Sequence, residues 1–214
     1  MADFSLTHDR KRIEKLASAL GCSVSANVVE QLGRYVELVV TWNRKLDLTA
    51  ARDAEAQVEV LLADALRLSD PAIVPHGSRG VDVGSGAGAP ALPLGLLRTD
   101  LDLTLVEPLR KRVAFLRTAV GALGLVSRMR VIEAKLDPEA PVLAGAPFDV
   151  ALSRATFAPP LWLAAGNALA RRTLVLLAAQ PAPEPRTGTC LAAHVHYELP
   201  NRDAARSIAV YDAL

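Results

Sequence analysis

A chain of 214 residues, 51% of them hydrophobic and 22% charged, has an ordinary globular composition, which excludes a disordered or fibrous protein. With 24 basic and 23 acidic residues the net charge is +1, which excludes a globally basic nucleic-acid binder. Any RNA contact must come from local patches such as Arg10-Lys11-Arg12, Arg110-Lys111-Arg112 or Arg171-Arg172.

The first part of the chain is helical in pattern. Ile13, Leu16, Ala17 and Leu20 recur at helix spacing and stop at Gly21. Val28, Val29, Leu32, Tyr35, Val36, Val39 and Val40 mark a second helix running to Trp42-Asn43. Val58, Leu61, Leu62, Ala65, Leu66 and Leu68 mark a third, ending before Asp70-Pro71. From there short apolar runs alternate with helical segments. Strands are expected at "GVDVG", at "LDLTLVEP" with its period-2 leucines, and at "RMRVIEA", "FDVALSRA" and "TLVLLAAQ". Helices are expected between them, at 93–98, 109–123 and 160–170. This alternation predicts an α/β fold with right-handed crossovers and a mostly parallel sheet. "TCLAAHVHYEL" and "RSIAVYDA" are separated only by 200–205, too short for a crossover, so they form an antiparallel hairpin at the sheet edge. Residues 1–70 are expected as a helical segment packed on a core of residues 71–214. Pro181 to Pro185 is expected as a stiff exposed loop.

The stretch "GVDVGSGAGAPALP" lies where the first strand meets the next helix. In open α/β sheets ligands bind outside the carboxyl ends of strands, at the switch point. Gly84, Gly86 and Gly88, with Ser85 and Ala89 between and after them, let a ligand lie against bare main chain. Glu107 closes the second strand about 20 residues further on, where a carboxylate accepts the hydroxyls of a ribose. Asp82 sits two residues before the first glycine, where it can bind loop N–H groups or face a cation. Gly84-x-Gly86-x-x-Ala89 also satisfies the dinucleotide fingerprint, so a nicotinamide cofactor stays open. A pyrophosphate, however, needs free N–H donors at the helix start, and Pro90 and Pro93 remove two. S-adenosyl-L-methionine carries a sulfonium and no phosphate, and suits the acid-flanked loop better.

Cys22 and Cys190 are isolated, and the histidines have no partners at zinc spacing, so no metal site is expected. No apolar run nears the ~18 residues of a membrane span. The first residues mix charge (Asp3, His8, Asp9, Arg10) without an apolar signal core. Reduced thiols and no targeting signal lead to an expected cytoplasmic location.

From about Tyr35 onward the chain resembles the glucose-inhibited division protein B family, bacterial methyltransferases acting on guanine N7 in 16S ribosomal RNA. The resemblance rests on five ordered matches: "YVELVVTWNRKLDLTA", "VDVGSGAGAPALPL", "LVEPLRKRVAFL", "FDVALSRA" and "YELPNRDAARSIAV". It implies the Rossmann-like class I S-adenosylmethionine-dependent methyltransferase fold with N-terminal helices over the sheet. By position it implies cofactor contacts at Gly84, Ala89, Glu107 and Leu136-Asp137, and a binding role for Arg154. Substrate would be the RNA of the small ribosomal subunit, with Arg154, Lys111 and Arg112 as candidate contacts. Guanine N7 has a free lone pair and loses no proton on methylation, so no catalytic base is required; positioning suffices. The chain departs from the family pattern at Leu61, Ala91, Lys135 and Gln180, largely on the substrate side. A related enzyme acting on another RNA or a small molecule, and a binding module without turnover, remain alternatives.

Overall fold

A computed structural model describes residues 2–178, 180–201 and 204–214, with side chains from residue 9 onward. The early charges Asp3 and His8 therefore lie outside the described side chains, and the hairpin turn is undescribed at 202–203. The elements run α1 (Ala2–Ala19), α2 (Ala26–Leu46), α3 (Ala54–Leu68), β1 (Arg79–Val83), α4 (Ala91–Leu97), β2 (Asp102–Glu107) and α5 (Arg110–Ala122). Then follow β3 (Met129–Glu133), β4 (Phe148–Ser153), α6 (Pro159–Leu169), β5 (Ala170–Leu177), β6 (Thr189–Leu199) and β7 (Ala204–Ala213).

The strands form one seven-stranded sheet, ordered β3-β2-β1-β4-β5-β7-β6. The first five are parallel, while β7 pairs antiparallel with β5, and β6 with β7. The order reverses direction at β1, which lies between β2 and β4. That is the switch point where a crevice must open, because the connections after β1 and β4 leave to opposite sides.

Strand periodicity decides which residues meet which layer. Leu103 and Leu105 of β2 face a large core shared with α1, α2, α3, α4 and α5. Val106 faces the other way, into a smaller core with Val83, Val175 and the Trp162 and Leu163 of α6. The three N-terminal helices thus bury their apolar stripes on the same sheet face as α4 and α5.

Two boundaries differ from the sequence expectation for local reasons. α2 continues past Trp42-Asn43 to Leu46 and ends on Asp47 in the left-handed conformation, φ 44°. Asn43 holds that ending: its Oδ1 accepts from the N–H groups of Leu48 (2.6 Å) and Thr49 (2.9 Å). Trp42 packs edge-on to Phe115, ring centres 5.7 Å apart, as a plug between α2 and α5. β5 begins at Ala170, three residues before "TLVLLAAQ", because Ala170 already pairs with Phe148. Arg172 then locks the strand to β7 with a two-point ion pair to Asp212 (2.7 and 2.8 Å). The Arg171-Arg172 patch is therefore partly structural. So is the first patch, whose Arg10 pairs with Glu30 and whose Arg12 pairs with Asp9.

Gly88 shows how tightly the glycine loop is packed beneath. Its φ is +77°, and a Cβ there would sit 2.7 Å from Cγ of Leu92 and 3.1 Å from Cδ2 of Leu116, both buried. Gly88→Ala is expected to cost about 2 kcal/mol, from strain and overpacking together. Urea denaturation of the variant measures it; an unchanged midpoint would refute the packing role.

Candidate cofactor and substrate site

The crevice is built on the turn leaving β1. Val106 of β2 accepts two loop N–H groups, those of Gly84 (2.8 Å) and Ser85 (3.1 Å). Ser85 is buried and its hydroxyl donates to the carbonyl of Asp82 at 3.0 Å. From above, the buried Tyr35 of α2 donates its hydroxyl to the Ala87 carbonyl at 2.9 Å. The N-terminal helices therefore hold the loop in place, and Ala89 is buried beneath it.

The three glycines have different tasks. Gly88 serves packing. A Cβ on Gly84 (φ +78°) would meet the side chain of Thr156, which comes from the loop after β4. Gly86 (φ +54°) is the open one: a Cβ there would find nothing closer than the Gly84 carbonyl at 3.8 Å. Bare main chain therefore faces free space at Gly86.

Two acids lie buried beside this loop, each 2% exposed. Glu107 accepts from the N–H of Gly86 (2.9 Å) through one oxygen and from the N–H of Leu109 (2.9 Å) through the other. It ties the loop to the start of α5, and each oxygen still has a second acceptor site. Asp82 is different: its Oδ2 is buried without a hydrogen-bond partner among the described residues. Burial pushes its carboxyl up to about 7, Ser85 and Arg154 pull it back, and the charge of Glu107 adds to the rise. A buried acid left so poorly satisfied is a common mark of a binding site. An open glycine, an unsatisfied buried acid and a second acid bonded to the loop offer main chain and acceptor oxygens that suit a cationic nucleoside.

Leu136 packs with Val83 and Val106, on the opposite face of the same strand ends. Asp137 is exposed and turned into its own loop, accepting from the N–H of Glu139 at 3.0 Å. Lys111 is exposed on the first turn of α5. Arg112 is half-buried, with Nη2 3.4 Å from the Asp47 carbonyl, joining α5 to the end of α2.

Arg154 faces a neighbouring cavity of about 370 Å³ between the N-terminal helices and the ends of β4 and β5. It is one arm of a network that sequence reasoning missed. Asp64, 2% exposed on α3, pairs with Nη1 of Arg154 (2.9 Å) and with Nη1 of Arg206 (3.0 Å), and accepts the hydroxyl of Tyr197. Arg154 also donates to the Val60 carbonyl at 2.6 Å. Burial alone would raise the Asp64 carboxyl; the two guanidinium groups and Tyr197 outweigh it and hold it below the ordinary range. The signal was present as a lone acid inside the apolar run "VLLADALRL", but its partners come from 90 to 142 residues away. Among the departures, Leu61 and Gln180 line this cavity, Ala91 is buried at the start of α4, and Lys135 is exposed beyond β3.

Among the described residues there is no group of three potential metal ligands, and no helix long and apolar enough to cross a membrane.

Comparison with known proteins places this architecture. The yhhF protein of Escherichia coli superposes with a TM-score of 0.54 at 16% identity, over 79% of this chain and 92% of that one, and carries the Rossmann-like methyltransferase fold. Ribosomal RNA small subunit methyltransferase G of Methylobacillus flagellatus is 34% identical over 148 residues, 68% of each chain. The protein of the same name from an Anaeromyxobacter species is 32% identical over 205 residues, 92% of this chain and 94% of its own. The GidB family, rRNA small subunit methyltransferase G, matches residues 28–174, spanning Tyr35, the glycine loop, Glu107 and Arg154, and the chain belongs to that family.

Proposed function

We propose that the protein transfers a methyl group from S-adenosyl-L-methionine to N7 of a guanine in 16S ribosomal RNA of the small subunit, in the cytoplasm. The observation that supports this most is the bare main chain facing free space at Gly86, with Glu107 bonded to its N–H and the unsatisfied Asp82 buried beside the loop. The donor, when bound, supplies an electrophilic methyl carbon on a sulfonium centre. This chain's residues bind and orient. Gly84, Ser85, Gly86, Gly88 and Ala89 offer main chain against which the nucleoside lies, and Glu107 accepts the sugar hydroxyls. Asp82 faces the cationic end, while Leu136 and Asp137 border the base. Arg154, with Lys111 and Arg112 further out, contacts RNA phosphate or a base edge. Since N7 loses no proton, no side chain has to remove one.

The test is transfer of labelled methyl onto small subunits that lack the modification, followed by mapping of the labelled base. Label on one 16S guanine is expected; no transfer to any RNA sinks the reading. Leu61 and Gln180, both departures and both in the substrate-side cavity, favour a second reading in which another RNA is the acceptor. Label confined to a different RNA selects that reading. For the cofactor side, Glu107→Gln is expected to weaken S-adenosylmethionine binding by about 1–3 kcal/mol, through a charge-assisted bond lost. Calorimetric titration reads this, and unchanged affinity places the sugar elsewhere.

A further inference from the structure

The reading above leaves open how a guanine reaches the donor. In A-form RNA the major groove, where N7 lies, is deep and narrow, so side chains cannot enter it. Enzymes that modify a base commonly draw it out of the stack into a pocket and hold it against an aromatic or apolar face. The cavity beside the glycine loop has the size for this: about 370 Å³, within the ~300–1,000 Å³ range of small-ligand pockets. Arg154 and Arg206, both paired with Asp64, give it a charged wall with one positive charge in excess, and Leu48, Leu61 and Leu176 an apolar one.

One aromatic ring lines it, Phe157. That is notable in a chain with only 4% aromatics, most of which are buried in the cores. Phe157 is half-buried, and its ring lies nearly parallel to that of Trp162, 8° apart in plane and 6.0 Å between centres. Trp162 is itself fixed, buried at 2% exposure with its indole N–H donating to the Leu174 carbonyl at 2.9 Å. Phe157 is thus a cavity-lining ring held parallel to a fixed, offset neighbour.

The chain around it links this ring to the glycine loop. Ser153 and Thr156 both donate hydroxyls to the carbonyl of Val83, at 2.7 and 3.3 Å, where β1 ends. Ala155 between them has φ +55°, a conformation rare for alanine. This tight turn seats Thr156 on Gly84 and at the same time leaves Arg154 and Phe157 on the wall of the cavity.

We propose that Phe157 is the stacking platform for the target base, which is extruded from the RNA into the cavity beside Arg154 and Arg206. This rests on the RNA methyltransferase reading. The competing role is an apolar plug, since Phe157 also packs against the smaller core. The two roles rank substitutions in opposite orders. A plug tolerates Phe157→Leu better than Phe157→Tyr; a platform tolerates Tyr and loses function with Leu.

The experiment measures KM for small subunits lacking the modification, with affinity for S-adenosylmethionine and thermal midpoint measured in parallel. Phe157→Leu is expected to keep cofactor affinity and to raise KM by about 5- to 150-fold, the range of a lost base–aromatic contact. Phe157→Tyr is expected to stay within about twofold of wild type. If the leucine variant does not fold, Phe157→Met replaces it. A non-aromatic variant with wild-type KM overturns the platform while leaving the methyltransferase reading intact. A wild-type protein that methylates no RNA defeats that reading instead. In that event guanosine monophosphate quenching of Trp162 fluorescence, in a Trp42→Phe background, still decides the platform. Quenching that is the same with and without the Phe157 ring overturns it.

Discussion

Asp64→Ala is expected to lower the unfolding free energy by about 3–5 kcal/mol, the cost of leaving buried charges without their partner. The carboxylate is the sole acid that both Arg154 and Arg206 engage in an ion pair among the described residues, and both guanidinium groups are largely buried. Removing it sets two like charges side by side in a low-dielectric wall. For a chain of this length such a loss lowers the thermal midpoint by roughly 6–20 °C. The effect depends on pH in a defined direction. Because the folded-state carboxyl is held below its ordinary value, its stabilisation is complete above the unfolded value near 4. It is lost as pH falls through the folded value. The gap between wild type and variant should therefore close in acid. A double-mutant cycle with Arg206→Ala isolates the pair; a coupling near zero would remove the network from any account of the cavity's shape.

Asp82→Asn is expected to stabilise the protein while weakening the cofactor site. The carboxyl is fully buried and raised to about 7, from an unfolded value near 4. Between those values the folded state keeps a proton that the unfolded state has released, so stability falls as pH rises. Well above pH 7 both states are ionised and the deficit is constant, on the order of 4 kcal/mol. Asparagine does not ionise, so the variant should match wild type near pH 4 and exceed it increasingly up to pH 7. Urea denaturation at pH 4.5, 6 and 8 resolves the trend. If Asp82 meets the cationic end of the donor, the same variant binds S-adenosylmethionine more weakly at pH 8. A flat difference across pH would mean that Asp82 is solvated and carries no strain. Such unfavourable burial is expected of Asp82 if its counter-charge arrives with the proposed ligand.

The sequence by itself determined the parallel sheet with its antiparallel edge and the position of the candidate site in the chain. Strand–helix alternation dictated a parallel sheet, since a right-handed crossover is what a helix between two strands permits. The short link before "RSIAVYDA" left an antiparallel edge as the way to pair it. The glycine loop and Glu107 were legible because both belong to one βαβ unit, whose geometry is local. Their pairing through the Gly86 N–H followed from strand ends lying side by side. Residue roles within the loop were not legible. Only packing decided that Gly88 accommodates Leu92, that Gly84 lies beneath Thr156, and that Gly86 alone stays open. Nor could the chain order reveal Asp64, Tyr197 and Arg206 as one cluster with Arg154. Their separations of up to 142 residues carry no periodic signal, and a buried acid is recognisable only once its partners converge on it. Local geometry is encoded in neighbouring residues, whereas burial and charge pairing arise between elements that meet only when the sheet and the helices close over each other.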